Sequence, residues 1–360
     1  MFKEEEALQI LSSVKDSGSN RSLLELGWFD KVYLKDSKVT VRLKLPSFAQ
    51  SQRDRIVEEI KNAFKGIPEI SGVQIELSNS SNQGEIGNSG HGEVGALQRI
   101  PGVKKILAVS SGKGGVGKST VAVNLACALS QQGYSVGLLD ADIYGPNTPI
   151  MLGVSNQTPE VIGSGSEQKI IPIESCGIAM VSMGLLIDEN QPVIWRGPML
   201  NGIIRQFLYQ ADWGERDFLV VDLPPGTGDA QISLAQAVPM SGVLIVTTPQ
   251  NVSLQDSRRG LAMFKQMNIP ILGIIENMSE FITPDNPERK YKLFGEGGGN
   301  TLSKEYSLPL LAKLPFEMRS LDAKEESMPI VLQSPDSITS KAFKDLAKVI
   351  VENIENNNND

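Results

Sequence analysis

Ser110-Ser111-Gly112-Lys113-Gly114-Gly115-Val116-Gly117-Lys118-Ser119-Thr120 is the stretch on which the reading of this chain turns. It satisfies G-x-x-x-x-G-K-[ST], with Gly112, Gly117, Lys118 and Ser119 at the fixed positions. Its flanks supply the context that the pattern needs. Lys105-Ile106-Leu107-Ala108-Val109 is a short apolar run that predicts a buried strand. Val-Ala-Val-Asn-Leu-Ala-Cys-Ala-Leu at 121–129 predicts a helix, ended by Gly133. Strand, glycine-rich turn and helix together predict a phosphate-binding loop over residues 112–120. Glycines let the backbone N–H groups of Gly114, Gly115, Val116 and their neighbours, through Thr120, curl around phosphate oxygens without Cβ clashes. The helix N-terminus adds its partial positive charge. Lys118 is expected at the β- and γ-phosphates, and the Ser119 hydroxyl on Mg²⁺.

Two further stretches complete a phosphate-handling set. Phe218-Leu219-Val220-Val221-Asp222 is an apolar strand ending in a carboxylate, the Walker B form, so Asp222 is expected to hold Mg²⁺ through water. Pro224-Pro225-Gly226-Thr227-Gly228-Asp229 follows, and the Gly226 N–H is a candidate γ-phosphate donor on a loop that moves with hydrolysis. Leu138-Leu139-Asp140-Ala141-Asp142 delivers two carboxylates at another strand end, before Gly145-Pro146. Asp142 is suited to hold a Mg²⁺-bound water or to orient the attacking water, with Asp140 as its partner. The competing reading of either aspartate is an N-cap for the next helix.

The whole chain has 360 residues, enough for two or more domains. Candidate strands at 106–109, 136–140, 218–222, 243–247 and 271–276 alternate with helical patterns. This predicts an α/β domain, over residues 100–355, built on a parallel sheet with helices on both faces. Ligands in such sheets bind at the carboxyl ends of strands, where all these motifs fall. Residues 1–78 predict a small α+β domain of order α-β-β-α-β: helices at 5–14 and 52–64, strands at 31–34, 38–45 and 73–77. Between the two, residues 79–99 begin in a polar, Ser/Asn/Gly-rich run that predicts a flexible linker, and residues 356–360 a disordered tail.

Composition narrows the class. A formal net charge of −8 argues against nucleic acid as a partner. No apolar run reaches the roughly 18 residues of a membrane span, and Met1-Phe2-Lys3-Glu4-Glu5-Glu6 lacks a signal-peptide core, so a cytoplasmic protein without membrane attachment is expected. Cys127 and Cys176 are far apart and read as core or strand-edge residues. His91, the single histidine, lies in the linker and predicts no metal or acid–base role.

Lys-Gly-Gly-Val-Gly-Lys-Ser-Thr at 113–120, with its second lysine, resembles the deviant phosphate loop of the SIMIBI ATPases, which include nitrogenase iron protein, MinD and the Mrp/ApbC family. The match to Mrp/ApbC covers nearly the whole chain. Leu139-Asp140-Ala141-Asp142-Ile143-Tyr144-Gly145-Pro146 resembles its switch I, and Asp222-Leu223-Pro224-Pro225-Gly226-Thr227-Gly228-Asp229 its switch II. Residues 192–199 and 294–299 resemble further family segments, and the N-terminal unit resembles the small iron–sulfur-assembly domain often fused to this ATPase. The resemblance implies an ATP-hydrolysing homodimer, with Lys113 crossing to the partner's nucleotide and Asn277 contacting the adenine edge. Thr248-Pro249-Gln250 is a further candidate for the base pocket, and a turn cap is the plainer reading of Asn277. It implies carriage of iron–sulfur clusters to recipient apoproteins.

One departure is plain. The family's cluster-holding C-x-x-C pair belongs just after residue 282, where this chain has Thr283-Pro284-Asp285-Asn286-Pro287. In the small domain, Pro46-Ser47-Phe48-Ala49-Gln50-Ser51 stands where a cysteine is usual, and Asp16-Ser17-Gly18 near the usual D-P-E. Thiolates are the normal cluster ligands, and Asp285 and Asn286 offer hard oxygens instead. The expectation is therefore an Mrp/ApbC-type ATPase in cluster carriage with altered ligation. The alternative is a MinD-like regulatory or scaffold ATPase without a cluster. MinD itself fits poorly, because the C-terminus has no basic amphipathic membrane helix.

Overall fold

The computed structural model describes residues 4–14, 22–23, 29–35, 38–43, 53–65, 67, 69–70, 72–77, 99–142, 145–163, 168–185, 206–283, 285–286, 288–317 and 327–356. Two compact units are present, Met1–Glu93 with Ile162–Lys169, and Val94–Val161 with Ile170–Asp360.

In the first unit, α1 (Glu4–Leu11) and α2 (Arg53–Ala63) accompany β1 (Phe29–Lys35), β2 (Lys38–Leu43) and β3 (Gly72–Leu77). The sheet order is β1-β2-β3, with β1 antiparallel and β3 parallel to β2. Alternation sends Val39, Val41 and Leu43 of β2 inward, where they meet Ala7 and Leu11 of α1 and Ile56 and Ile60 of α2. The order α-β-β-α-β is the expected one. The first helix stops at Leu11, short of the predicted 14, because Ser12 and Ser13 hydroxyls turn back onto the carbonyls of Gln9 and Ile10. Residues 79–98 of the predicted linker, residues 357–360 of the predicted tail, the segments at 16–18, 46–51 and 192–199, and His91 lie outside the described residues.

The second unit begins with β4 (Val103–Ser111), α3 (Lys118–Gln131), β5 (Val136–Asp140) and α4 (Thr148–Met151). Along the chain two short strands follow, β6 (Val161–Ile162) and β7 (Lys169–Ile170), each with one residue in either unit, then β8 (Ile173–Ser175), β9 (Ile178–Ser182) and β10 (Arg216–Asp222). The order continues with α5 (Asp229–Ala237), β11 (Gly242–Thr247), α6 (Asn251–Gln266), β12 (Ile271–Ile282) and β13 (Lys290–Tyr291). It closes with α7 (Gly298–Tyr306), β14 (Leu310–Glu317), α8 (Ile330–Gln333) and α9 (Ile338–Asn356).

Among the described residues the main sheet has nine strands, in the order β13-β12-β11-β4-β10-β5-β9-β8, with β14 also on β12. Its body is parallel. The edge strands β8 and β13 run antiparallel to their neighbours, so the sheet is mixed at its margins. Both faces are covered, as strand alternation requires. Leu107 and Val109 of β4 and Val220 of β10 enter one core with α3, α8 and α9. Ile106 and Ala108 of β4 and Val221 of β10 enter the other, with α5, α6 and α7. Strand β12 outruns its predicted end at 276 because Asn277, Phe281 and Ile282 keep pairing partners in β13 and β14, across a register irregularity between 277 and 281.

Candidate functional site

Three adjacent strand ends build the site. β4 runs into the glycine loop, and its neighbours β10 and β5 end at Asp222 and Asp140, which stand opposite each other in register. Gly115 and Gly117 hold φ of +81° and +80°, a backbone that residues with a Cβ resist, and Gly117 is the N-cap of α3. A side chain at Gly117 would run into the Asn277 amide, and one at Gly112 into the Asp256 carbonyl of α6. The loop is therefore packed from both sides. Gly133, at φ +92°, sits just past the end of α3 as predicted.

Lys118 is buried. Its Nζ donates to Asp222 Oδ1 at 2.6 Å and lies 3.5 Å from both Asp142 Oδ2 and Ser119 Oγ. Four predicted site residues thus meet at one point. Asp142 Oδ1 and Asp222 Oδ2 are buried without a hydrogen-bond partner among the described residues. Two orphaned carboxylate oxygens beside a serine hydroxyl are a hard oxygen set, and that set fits Mg²⁺ with its retained waters. Burial raises the pKa of Asp222, and the Lys118 ammonium opposes the rise.

Asp140 is fully buried. Its Oδ1 accepts the Asp142 N–H at 3.1 Å, and its Oδ2 accepts Thr148 Oγ1 at 2.8 Å, Ser182 Oγ at 3.0 Å and, more distantly, the Thr148 N–H at 3.4 Å. Burial, then the neighbouring Asp222 charge, pushes its pKa up to about 7 against those hydrogen bonds. Asp140 thus bonds to Asp142, while the N-cap of α4 is Asn147. Thr148 and Ser182 have no motif of their own; Thr148 comes in from the start of α4, and Ser182 through the β5–β9 pairing, which sets it opposite Asp140.

The Gly226 N–H donates to the Ser111 carbonyl at 3.0 Å, which joins the loop after β10 to the end of β4. Gln231 of α5 adds a hydrogen bond to the buried Ser110 hydroxyl. Lys113 is half-buried and has no ion-pair partner among the described residues.

A cavity of about 190 Å³ opens beside the first turn of α3. Gly117, Thr120, Asn277, Met278, Pro315 and Phe316 are among its walls. The Asn277 Nδ2 donates to the Val116 carbonyl at 2.8 Å, so its Oδ1 is the group left to accept. Thr248, Pro249 and Gln250 do not line this cavity. Thr248 instead pairs with the Ser253 hydroxyl at 2.7 Å, and Gln250 is the N-cap of α6. The neighbouring Glu276 is buried and accepts the Gly299 N–H at the start of α7, which ties the glycine segment at 294–299 to the strand that carries Asn277.

The stretch after residue 282 is a turn that closes on itself. Thr283 Oγ1 donates to the Asn286 carbonyl at 2.9 Å, and Asn286 Oδ1 accepts the Glu288 N–H at 3.0 Å. Among the described residues no group of three or more His, Cys, Asp or Glu side chains is arranged to hold a metal. Cys127 is fully buried in α3, and burial pushes its thiol pKa up; Cys176 is half-buried in the β8–β9 turn. No helix among the described residues is long and apolar enough to cross a membrane.

Comparison with known proteins agrees with this geometry. Residues 102–351 match the family model described as NUBPL iron-transfer P-loop NTPase, and residues 4–77 match that of an iron–sulfur cluster assembly protein. The chain is 50% identical over 350 residues to the iron–sulfur cluster carrier protein of Synechocystis, covering 97% of each. It is 47% identical over 258 residues to the mitochondrial iron–sulfur protein required for NADH dehydrogenase of Arabidopsis thaliana, 71% of this chain and 81% of that one. Among solved structures, the nucleotide-binding protein of Archaeoglobus fulgidus in complex with ADP superposes with a TM-score of 0.56 at 33% identity, over 68% of this chain and 94% of the other.

Proposed function

The chain belongs to the NUBPL-type iron-transfer P-loop NTPase family, and from that premise we propose that it is a cytoplasmic, ATP-hydrolysing homodimer that carries iron–sulfur clusters to recipient apoproteins. The single observation that carries the nucleotide chemistry is the meeting of Lys118, Ser119, Asp142 and Asp222 at the mouth of a glycine loop. Lys118 turns from Asp222 to the β- and γ-phosphates when ATP arrives. Ser119 and, through water, Asp222 would hold Mg²⁺, which neutralises charge on those phosphates. Asp142 orients the water that attacks the γ-phosphorus as the bond to the β-phosphate oxygen breaks. Gly226 exchanges its bond to Ser111 for the γ-phosphate, which is how the loop after β10 senses hydrolysis. Asn277 offers Oδ1 to the N6 amino group of adenine, a donor that guanine lacks on the matching edge. Lys113 acts across the dimer on the partner's nucleotide, so turnover is slow in the isolated chain and depends on dimer closure and on the recipient.

The cargo is the point at which a second reading has support. The self-closed turn at 283–289 carries no thiol, and neither cysteine offers an exposed pair. Cluster ligation in the manner of a C-x-x-C pair does not fit these residues. The carrier reading therefore needs other ligands, and the scaffold reading, a nucleotide-driven switch that docks assembly partners, needs none. Anaerobic loading with iron and sulfide, followed by iron, sulfide and absorption measurements, separates the two. A stoichiometric cluster lost in Cys127→Ala or Cys176→Ala supports carriage by relocated ligands. Bound MgATP without any cluster supports the scaffold. Absence of MgATP binding would sink both.

A further inference from the structure

We propose that Thr148 and Ser182 are positioning residues for ATP hydrolysis, acting through Asp140 to fix where Asp142 stands. The proposal rests on the reading that Asp142 works at the γ-phosphate. Asp142 and Thr148 are the two ends of one stretch, and a single carboxylate grips both. Asp140 Oδ1 takes the Asp142 N–H, and Oδ2 takes the Thr148 hydroxyl. The third donor comes from the adjoining strand, where Ser182 stands opposite Asp140 and donates at 3.0 Å. Ser182 is itself held, because its Oγ accepts the Gly184 N–H at 3.1 Å. Gly184 abuts the middle of the same stretch: a Cβ there would come within 2.6 Å of Pro146 Cγ. Asp142 and Thr148 are thus referred to β5 through one buried carboxylate, and Pro146 abuts Gly184, whose N–H is held by Ser182.

The electrostatic setting makes the two hydroxyls matter. Asp140 lies beside Asp222 with no cation of its own in contact among the described residues, and Lys118 is engaged by Asp222 and Asp142. A buried carboxylate next to another needs donors to stay in place. Thr148 and Ser182 supply the side-chain donors. Removing either frees Asp140 to rotate, and the Asp142 amide that it holds follows. Nucleotide affinity should be spared, since neither hydroxyl borders the glycine loop or the base cavity. A hydroxyl that merely filled the core would give the opposite pattern, lost stability without a selective loss of kcat.

The test compares Thr148→Val, Ser182→Ala and Thr148→Ser, with Asp142→Asn as reference, by steady-state ATP hydrolysis and by titration of a fluorescent ATP analogue with Mg²⁺. Thr148→Val and Ser182→Ala are each expected to lower kcat about tenfold while KM and Kd stay within about twofold. Thr148→Ser, which keeps the hydroxyl, restores kcat. In the Asp142→Asn background Ser182→Ala adds no further loss. Should Ser182→Ala not fold, Ser182→Cys takes its place, with the same shape and a weaker donor. The proposal is overturned if kcat is unchanged, if affinity falls as much as kcat, if Thr148→Ser fails to restore it, or if the losses add. A normal kcat in Asp142→Asn removes the underlying reading, whereas a normal kcat only in the hydroxyl variants removes this proposal alone.

Discussion

The carboxyl ends of β4, β5 and β10 and the tip of the β12–β13 hairpin stand in contrast. At the strand ends Lys118, Asp140, Asp142 and Asp222 are buried and tied together by hydrogen bonds and ion pairs. At the hairpin tip Thr283, Asn286 and Glu288 bond to one another, and Asp285, Asn286, Glu288 and Arg289 are exposed. The difference lies in how much fold each residue carries. A change at Lys118 strands buried carboxylates, and one at Asp140 strands buried donors, so sequence, packing and chemistry are locked together. A change at Thr283 or Asn286 alters a solvent-facing turn at a cost of about 1 kcal/mol, so ligand chemistry there can be lost or gained with the fold unmoved. Nucleotide switching and cargo ligation are thus expected to be separable properties of one domain.

The contrast is broken most severely at Lys118. Lys118→Ala removes the cation between Asp222 and Asp142, and it is expected to cost the nucleotide-free protein about 3 kcal/mol. Turnover is expected to fall at least about ten-thousandfold, since both binding and transition-state charge stabilisation are lost. Chemical denaturation and ATP hydrolysis measure the two parts. A stable, active variant would mean that the buried cluster is not the phosphate site. Lys113→Ala comes next. Because Lys113 has no ion-pair partner among the described residues, stability should be unchanged, while turnover falls about a thousandfold and the MgATP-dependent dimer weakens. Light scattering with and without MgATP reads the dimer. Unchanged dimerisation and turnover would return Lys113 to a plain surface residue.

The gap between these two lysines also marks what the sequence made legible. Lys118, Ser119, Asp222 and Asp142 were readable because each is fixed by local spacing at a strand end, and local spacing is what a linear motif records. The parallel body of the sheet was readable from apolar runs such as Val136–Asp140. Ser182 was not, because its partner lies 42 positions away and only the pairing of β5 with β9 joins them. Strand β12 beyond residue 276 is hidden for the same reason: Asn277, Ser279 and Glu280 break the apolar run, and the pairing of Asn277, Phe281 and Ile282 with β13 and β14 carries the strand across an irregularity between 277 and 281. Thr248-Pro249-Gln250 was assigned to the base cavity by following a strand end, whereas the turn there is spent on starting α6.

A smaller effect tests the base cavity. Asn277→Ala leaves Val116 without its donor and the cavity without its acceptor, so preference for ATP over GTP should drop about tenfold with kcat for ATP little changed. Competition between the two nucleotides for the fluorescent analogue reads this, and an unaltered preference would assign adenine recognition to other groups.

The last change should leave the nucleotide cycle untouched, and for that reason it tests the comparison most directly. Replacing Thr283 and Asn286 by cysteine creates C-x-x-C spacing on the exposed turn, at the place where the sequence departs from the family pattern. Two bonds are lost or weakened, from Thr283 Oγ1 to the Asn286 carbonyl and from the Glu288 N–H to Asn286 Oδ1. Their loss should cost about 1 kcal/mol, too little to disturb strands held by the core of the sheet. ATP affinity and turnover should match the parent. Anaerobic loading should then give a cluster absorption band and more iron per dimer than the parent binds, because soft thiolates replace hard oxygens. If the double variant gains iron without any change in turnover, ligation and switching are independent. If turnover changes as well, the hairpin tip communicates with the strand ends, and the separation drawn between the two regions fails.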